Sequence, residues 1–265
     1  MINVCVAGAT GWTGNPLARA VVAAEDLKLV SAVSRSAAGK DLGEVWGSGI
    51  IDVPVFGAVA DALDGVDVLI DYTSHESVKA NTLAALSAGV SVVIGSSGLT
   101  GEDFAEIEAA ATSNGAGVVA AGNFSITAAM AQAAALLAAR HLPQWEVIDY
   151  ASSTKPDVPS GTAREMAERL SAVRRPEIGV PVADIAGPKE ARGVDVDGTQ
   201  IHSVRLPSFV VSTEVVFGLP DERLVIRHDA GSSPEPYVTG TLMAVRALPG
   251  RVGLTRGLDT LLLEG

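Results

Sequence analysis

The chain holds few of the residues on which thiol, metal or nucleic-acid chemistry depends. Its single cysteine, Cys5, lies in the apolar run Ile2–Ala7. One thiol closes no internal disulfide, which fits a reducing cytoplasm. Among apolar neighbours it reads as a small buried hydrophobe. Four histidines are scattered through 265 residues. No His, Cys, Asp or Glu cluster has metal-ligand spacing, so no metal centre is expected. Cations are short as well: 19 Lys and Arg face 31 Asp and Glu, for a net charge of −12 and a pI of about 4.7. Without a basic stripe, no nucleic-acid partner is expected. An anionic ligand would have to be held by local positive groups. Long apolar runs are missing too. The longest, Ile126–Ala139, is interrupted by Gln132 and is too short to span a bilayer. Its Ala and Leu content reads as a buried helix, and no membrane partner is expected. Met1 leads straight into a strand-like run without a charged leader, so no signal peptide is expected either.

What is present is an ordinary globular balance, 48% hydrophobic and 19% charged, with core enough for one or two domains. Over the first 124 residues, strand-like runs at 3–7, 29–33, 66–71, 90–94 and 117–120 alternate with helical stretches at 16–24, 75–88 and 102–113. Short β-branched runs separated by helices predict a parallel, doubly wound sheet. From about Tyr150 the period changes. A Ser-, Pro- and Gly-rich stretch gives way to β-type segments at 201–204, 210–217 and 223–228, and a helix follows at 239–247. The expected fold class is α/β with two domains. A Rossmann-type nucleotide domain covers 1–125. An α+β substrate and oligomerisation domain with a mixed or antiparallel sheet covers 126–236, and residues 237–265 return to the first domain.

The first strand runs into Gly8-Ala9-Thr10-Gly11-Trp12-Thr13-Gly14, and a helix opens near Pro16. Glycines at this spacing let the backbone approach a pyrophosphate, and the helix N-terminus adds N–H donors and a favourable dipole. A tight strand–helix turn would also explain the spacing in a chain with 28 glycines. Its place at the head of a βαβ series favours the nucleotide. The second strand ends Ser34-Arg35-Ser36, with no acidic residue to hold a ribose 2′-OH. Arg35, with Ser34, Ser36 and Lys40, suits a 2′-phosphate. NADPH is therefore the expected cofactor, with NADH weaker; the alternative is a solvated loop arginine.

Residues 149–163 read Asp-Tyr-Ala-Ser-Ser-Thr-Lys-Pro-Asp-Val-Pro-Ser-Gly-Thr-Ala. A Ser160-Gly161-Thr162 turn offers two hydroxyls and several N–H groups to one small anion, and Lys155 adds charge. That predicts a pocket for a carboxylate-bearing substrate. No histidine lies between Asp149 and Thr162, so the usual proton donor near neutral pH is missing.

Taken together, these blocks resemble the dihydrodipicolinate reductase family of bacterial lysine synthesis. The resemblance spans nearly the whole chain. It includes the glycine loop, Asp71-Tyr72-Thr73, Val93-Ile94-Gly95-Ser96-Ser97-Gly98, Asn123-Phe124-Ser125 and Lys155-x-Asp157-x-Pro159-Ser160-Gly161-Thr162-Ala163. It implies an NADPH-dependent reductase of a carboxylated cyclic imine or conjugated heterocycle, joined as a homotetramer through the substrate-domain sheets. It further implies a cofactor site of Gly8, Thr10, Gly11, Trp12, Thr13, Gly14, Ser34, Arg35, Ser36, Tyr72, Thr73, Gly95, Ser97, Asn123 and Phe124. Substrate would be held by Ser160, Gly161, Thr162, Ser97 and Ser152, with Lys155 both binding and catalytic.

The chain departs from that pattern where chemistry would occur. The family's Glu-x-His-His-x-x-Lys-x-Asp reads here with Asp149, Ala151 and Ser152 at its first three named positions. Its Gly-Glu-His element is absent near Val211–Glu214, as is its cofactor-closing arginine near Ser233–Pro236, and the glycine loop carries Trp12 and Thr13 in place of Arg-Met. The resemblance therefore implies a reductase whose substrate need not be the usual dicarboxylate. The alternatives are the lysine-pathway step itself and a non-catalytic NADPH-binding sensor. Lys155, water or Tyr150 would supply the proton. Of the histidines, His75 is a site candidate beside the 71–74 turn. His141 reads as a helix-end cation, and His202 and His228 as sheet residues.

Overall fold

The alternating runs of the first 124 residues build a single parallel sheet. The computed structural model describes residues 1–264. It has two units, Met1–Ile126 with the segment from Pro234 onward, and Thr127–Ser233. The first begins with β1 (Ile2–Ala7), α1 (Gly14–Ala23), β2 (Leu27–Val33), α2 (Leu42–Trp46) and β3 (Val55–Phe56). It continues with β4 (Val68–Asp71), α3 (Val78–Ser87), β5 (Ser91–Ile94), α4 (Gly101–Asn114) and β6 (Gly117–Ala120). The second unit is formed by α5 (Ile126–Ala139), β7 (Gln144–Ala151), α6 (Gly161–Val173), β8 (Val194–Val196), β9 (Thr199–Arg205), β10 (Val211–Leu219) and β11 (Glu222–Asp229). The chain then rejoins the first unit as α7 (Glu235–Ala247), β12 (Gly253–Arg256) and α8 (Leu258–Glu264).

The first sheet has the order β12-β6-β5-β4-β1-β2-β3, with every pairing parallel. Strands β4 and β6 are buried along their whole length, as expected where helices cover both faces. Leu69, Ile94 and Val118 pack with Leu86 and Ile107 in one core. Cys5 joins it, and burial pushes its thiol up to about 12, which keeps it protonated and unreactive. The strand order reverses between β1 and β4, and that reversal opens a crevice at their carboxyl ends.

The second sheet, β11-β10-β7-β9-β8, is mixed: β7 and β9 run parallel and the other pairs antiparallel. Alternate residues of β7 are buried, namely Trp145, Val147, Asp149 and Ala151. Trp145 packs on Phe217 with ring centres 5.8 Å apart, in a core with Met166 and Leu170. Asp149 is the one carboxylate in that buried row of β7.

The structure adds elements that the patterns did not predict. Strands β3 and β12 have too few residues for a periodic signal, and α2 has only five. Helix α6 was hidden behind the turn chemistry at its start, although Ala163, Met166, Ala167 and Leu170 mark a helical face. The expectation that Ile126–Ala139 forms a buried helix holds for one face only. One stripe is buried, while Met130 and Leu137 are 43% and 58% exposed. No helix among the described residues is long and apolar enough to cross a membrane.

Candidate active site

The glycine loop leaves β1 at the reversal point. Gly8 has φ +83°, and a Cβ there would overlap the Tyr72 carbonyl; one on Gly14 would overlap the Gly8 carbonyl. Only backbone fits, and so a phosphate could approach closely. Thr13 precedes α1 but makes no side-chain cap, and the first turn has no acidic residue. By contrast, Asp41 and Thr100 close capping boxes on α2 and α4. The start of α1 is thus open to an anion. Thr10 Oγ1 and Ser34 Oγ lie 2.7 Å apart, with Ser36 Oγ 3.3 Å beyond. These residues, with Gly8, Gly11, Arg35, Tyr72 and Thr73, line a groove of about 380 Å³. Lys40 lines an adjoining hollow with Thr10 and Ser36. Arg35 and Trp12 are exposed. The Trp12 indole meets Tyr237 edge-on at 6.0 Å. A dinucleotide in this groove is expected to shift Trp12 fluorescence. Trp12→Phe should abolish most of that change, and an unaltered response would remove Trp12 from the cofactor site.

Asp71 ties the neighbouring loops together, a role the residue patterns did not reveal. It is fully buried. One carboxylate oxygen accepts from Thr73 N, Thr73 Oγ1 and Ser96 Oγ at 3.0, 2.7 and 2.7 Å, the other from Asn81 Nδ2 at 2.8 Å. The Tyr72 ring fills the space where a Gly95 side chain would stand, and its hydroxyl meets Thr241 Oγ1 at 2.9 Å. Burial raises the Tyr72 phenol well above its ordinary range, so it stays protonated. Gly95→Ala is expected to drive this ring from its seat at a cost of about 1–3 kcal/mol. That would lower the denaturant midpoint at constant slope. Ser97 is exposed, and Asn123 Oδ1 accepts from Ser125 N at 2.9 Å. The Phe124 ring is 1% exposed and packs against Tyr72. The ring supports Tyr72 from inside the core, so any contact of Phe124 with the expected cofactor would come from its backbone.

In the second unit, β7 ends at Ala151 and α6 begins at Gly161. Lys155 Nζ pairs with Asp157 Oδ1 at 2.8 Å, and its N–H reaches the Ser152 carbonyl at 3.0 Å. The geometry changes the reading of Ser160, which is 1% exposed and caps α6. Its hydroxyl donates to Asp149 Oδ1 at 2.7 Å and accepts from Ala163 N at 3.3 Å. Its proton is therefore turned inward, and Gly161 and Thr162 form the first turn of α6 beyond it. Asp149 Oδ2 accepts from Ser160 N, Ser203 Oγ and Arg205 Nη2 at 2.9, 3.0 and 2.8 Å. Removing either member of the Asp149–Arg205 pair would strand a buried charge, at a cost of about 3–5 kcal/mol. The only sequence signal for Arg205 is its place one residue beyond a β-type run, into which the strand extends.

Ala151 is fully buried, and Ser152 Oγ is 3.0 Å from Thr154 Oγ1. Tyr150 alternates to the opposite face of β7 from Asp149, stacked on Phe209 and beneath Arg227. His202 bonds Glu146 at 2.7 Å, and His228 bonds Thr127 at 3.1 Å, its imidazole pushed below the ordinary value by burial. His75 is exposed beside Gly98.

Comparison with known proteins agrees across the whole length. The model for "Dihydrodipicolinate reductase, N-terminus" matches residues 2–124, and that for "Dihydrodipicolinate reductase, C-terminus" matches 123–262. A 4-hydroxy-tetrahydrodipicolinate reductase of Desulfitobacterium hafniense is 37% identical over 98% of each chain. One from Synechococcus elongatus is 36% identical over 98% of each. The solved structure of a dipicolinate-bound dihydrodipicolinate reductase from Paenisporosarcina sp. TG-14 has a TM-score of 0.74 at 29% identity, covering 98% of this chain and 99% of its own. GenD2 from gentamicin A biosynthesis, in complex with NAD, shares the fold at TM-score 0.65 and 16% identity. It covers 98% of this chain and 90% of its own.

Proposed function

The chain belongs to the dihydrodipicolinate reductase family, and from that premise we propose that it is an NADPH-dependent reductase of a carboxylate-bearing cyclic imine. Its relatives' 4-hydroxy-tetrahydrodipicolinate reductases place it among the pyridine-nucleotide oxidoreductases. The observation that carries the substrate class is the Lys155 loop running into the start of α6, a cation and main-chain donors gathered at one end of a helix.

When bound, a reduced nicotinamide would supply the hydride that reduces the carbon of a C=N bond. The glycine loop suits its pyrophosphate because no side chain fits there, and Arg35 beside Ser36 suits a 2′-phosphate. The first turn of α6 and Lys155 hold the substrate carboxylate and fix the imine's orientation. The imine nitrogen takes a proton, for which Lys155 and solvent are the available donors. With Ala151 buried and Ser152 bonded to Thr154, this loop grips one carboxylate firmly and offers little to a second. The preferred substrate on this reading is a cyclic imine with one carboxylate beside the reacting bond.

A second reading, reduction of the relatives' own dicarboxylate substrate, is favoured by full-length identity to proteins of that name. The deciding assay is NADPH oxidation with the dicarboxylate, generated in situ by its synthase, against a panel of monocarboxylated cyclic imines. A larger kcat/KM for the monocarboxylates supports the first reading, and the reverse order supports the second. Turnover of neither, with NADPH still bound, would point to a sensor. Assembly as a homotetramer is part of the proposal. Leu224 and Val225 are 44% and 45% exposed on the sheet-edge strand β11, which suits pairing with another copy.

A further inference from the structure

We infer that Arg205 is a positioning residue for substrate binding, holding the base of the Lys155 loop and cancelling the charge of Asp149 beneath it. The inference rests on the proposed role of that loop in gripping a carboxylate. Arg205 stands at the end of β9, in register with Ala151 of β7, and its side chain is 16% exposed. One guanidinium nitrogen, Nη2, reaches both the Asp149 carboxylate and the Asp157 carbonyl at 2.8 Å. The other, Nη1, reaches the carbonyls of Val204 and Asp149 at 3.0 and 3.3 Å. Four acceptors drawn from β7, β9 and the loop converge on one planar fork, a geometry that a lysine cannot reproduce.

Two consequences meet at the loop. The first is geometric. Arg205 fixes the Asp157 peptide, and the Asp157 side chain holds Lys155 Nζ. Asp149, itself held by Arg205, takes both the N–H and the hydroxyl of Ser160, the cap of α6. Both ends of the loop are therefore set by a single ion pair. The second is electrostatic. Lys155 with Asp157 and Arg205 with Asp149 sum to zero charge around the start of α6. Without Arg205, the buried Asp149 carboxylate would stand uncancelled within hydrogen-bond distance of Ser160 N. It would then oppose any anion at that helix end.

The test uses the full chain loaded with NADPH, with pyridine-2,6-dicarboxylate as the probe. Wild type against Lys155→Ala examines the underlying reading, and equal affinity there would overturn that reading by itself. Given a loss in Lys155→Ala, Arg205→Met is expected to weaken probe binding and raise substrate KM by at least about tenfold. NADPH affinity should be unchanged and kcat less affected than KM. Adding Asp149→Asn to Arg205→Met removes the uncancelled charge and should recover part of the probe affinity, whereas a purely structural pair would not recover. Unchanged probe affinity in Arg205→Met overturns the inference, as does absence of recovery in the double variant. Should Arg205→Met fail to fold, Arg205→Lys retains the charge without the fork. A probe affinity equal to wild type in that variant overturns the geometric role.

Discussion

Lys155→Ala is expected to lower kcat/KM for the carboxylated imine by about 10²–10⁴-fold, the range associated with a positioned acid or its equivalent. NADPH affinity should stay within about twofold of wild type, since the 155 loop contributes no residue to the lining of the nucleotide groove. Two losses combine in that number. On the proposed reading, the substrate carboxylate would lose its charge partner and the imine nitrogen a proton donor. The pattern of loss separates them: a rise in KM alone assigns Lys155 to binding, whereas a fall in kcat at saturation assigns it to proton delivery. A fold-change below about threefold in both would remove Lys155 from the site. The Lys155–Asp157 pair adds a check. Asp157→Asn removes the charge that competes for the ammonium while leaving an amide oxygen to hold it, and is expected to tighten carboxylate binding modestly, which isothermal titration would read directly; weaker binding would mean that the carboxylate's hold on Lys155 matters more than its charge.

Arg35→Ala is expected to weaken NADPH by about 10–100-fold and NADH by less than about threefold. Each hydrogen bond between a guanidinium and a phosphate contributes about 1.5–3 kcal/mol, and NADH lacks the 2′-phosphate that would receive it. Arg35 is exposed at the end of β2 beside the groove, so its removal leaves no cavity and no stranded charge. The stability of the folded chain should be unaffected, and a thermal melt without cofactor checks that. Equal losses for the two cofactors would mean that Arg35 serves the shared diphosphate or nothing at all, and the NADPH assignment would lose its basis.

The parts of this protein that sequence makes legible are those where one residue type answers one physical demand. Gly8 and Gly14 could be read because only glycine fits their backbone. The first sheet could be read because strands buried on both faces become unbroken apolar runs, as at Val118–Ala120 and Leu69–Ile70. Legibility fails where a role is set by partners distant in the chain. Asp149 and Arg205 are 56 residues apart, and nothing local marks either as half of a pair. Ser160 looked like an anion ligand because its neighbours did, while its hydroxyl proton is drawn to a carboxylate eleven residues upstream. Phe124 belonged to a recognisable motif, yet burial sends its ring into the core.

The nucleotide-type unit is discontinuous, and that has a consequence for how the chain is made. Strand β12 completes the edge of the first sheet beside β6, and Thr241 of α7 supplies the partner of the Tyr72 hydroxyl. Both come from the segment that follows Pro234. During synthesis the usual order is that the N-terminal domain folds first. Here the first unit lacks an edge strand and a helix until the segment that follows Pro234 has left the ribosome, whereas the unit at Thr127–Ser233 is continuous and precedes that segment. Of the two units, the one that opens with Met1 is completed after the other, so the nascent chain acquires the Lys155 loop before it acquires the finished groove beside the glycine loop.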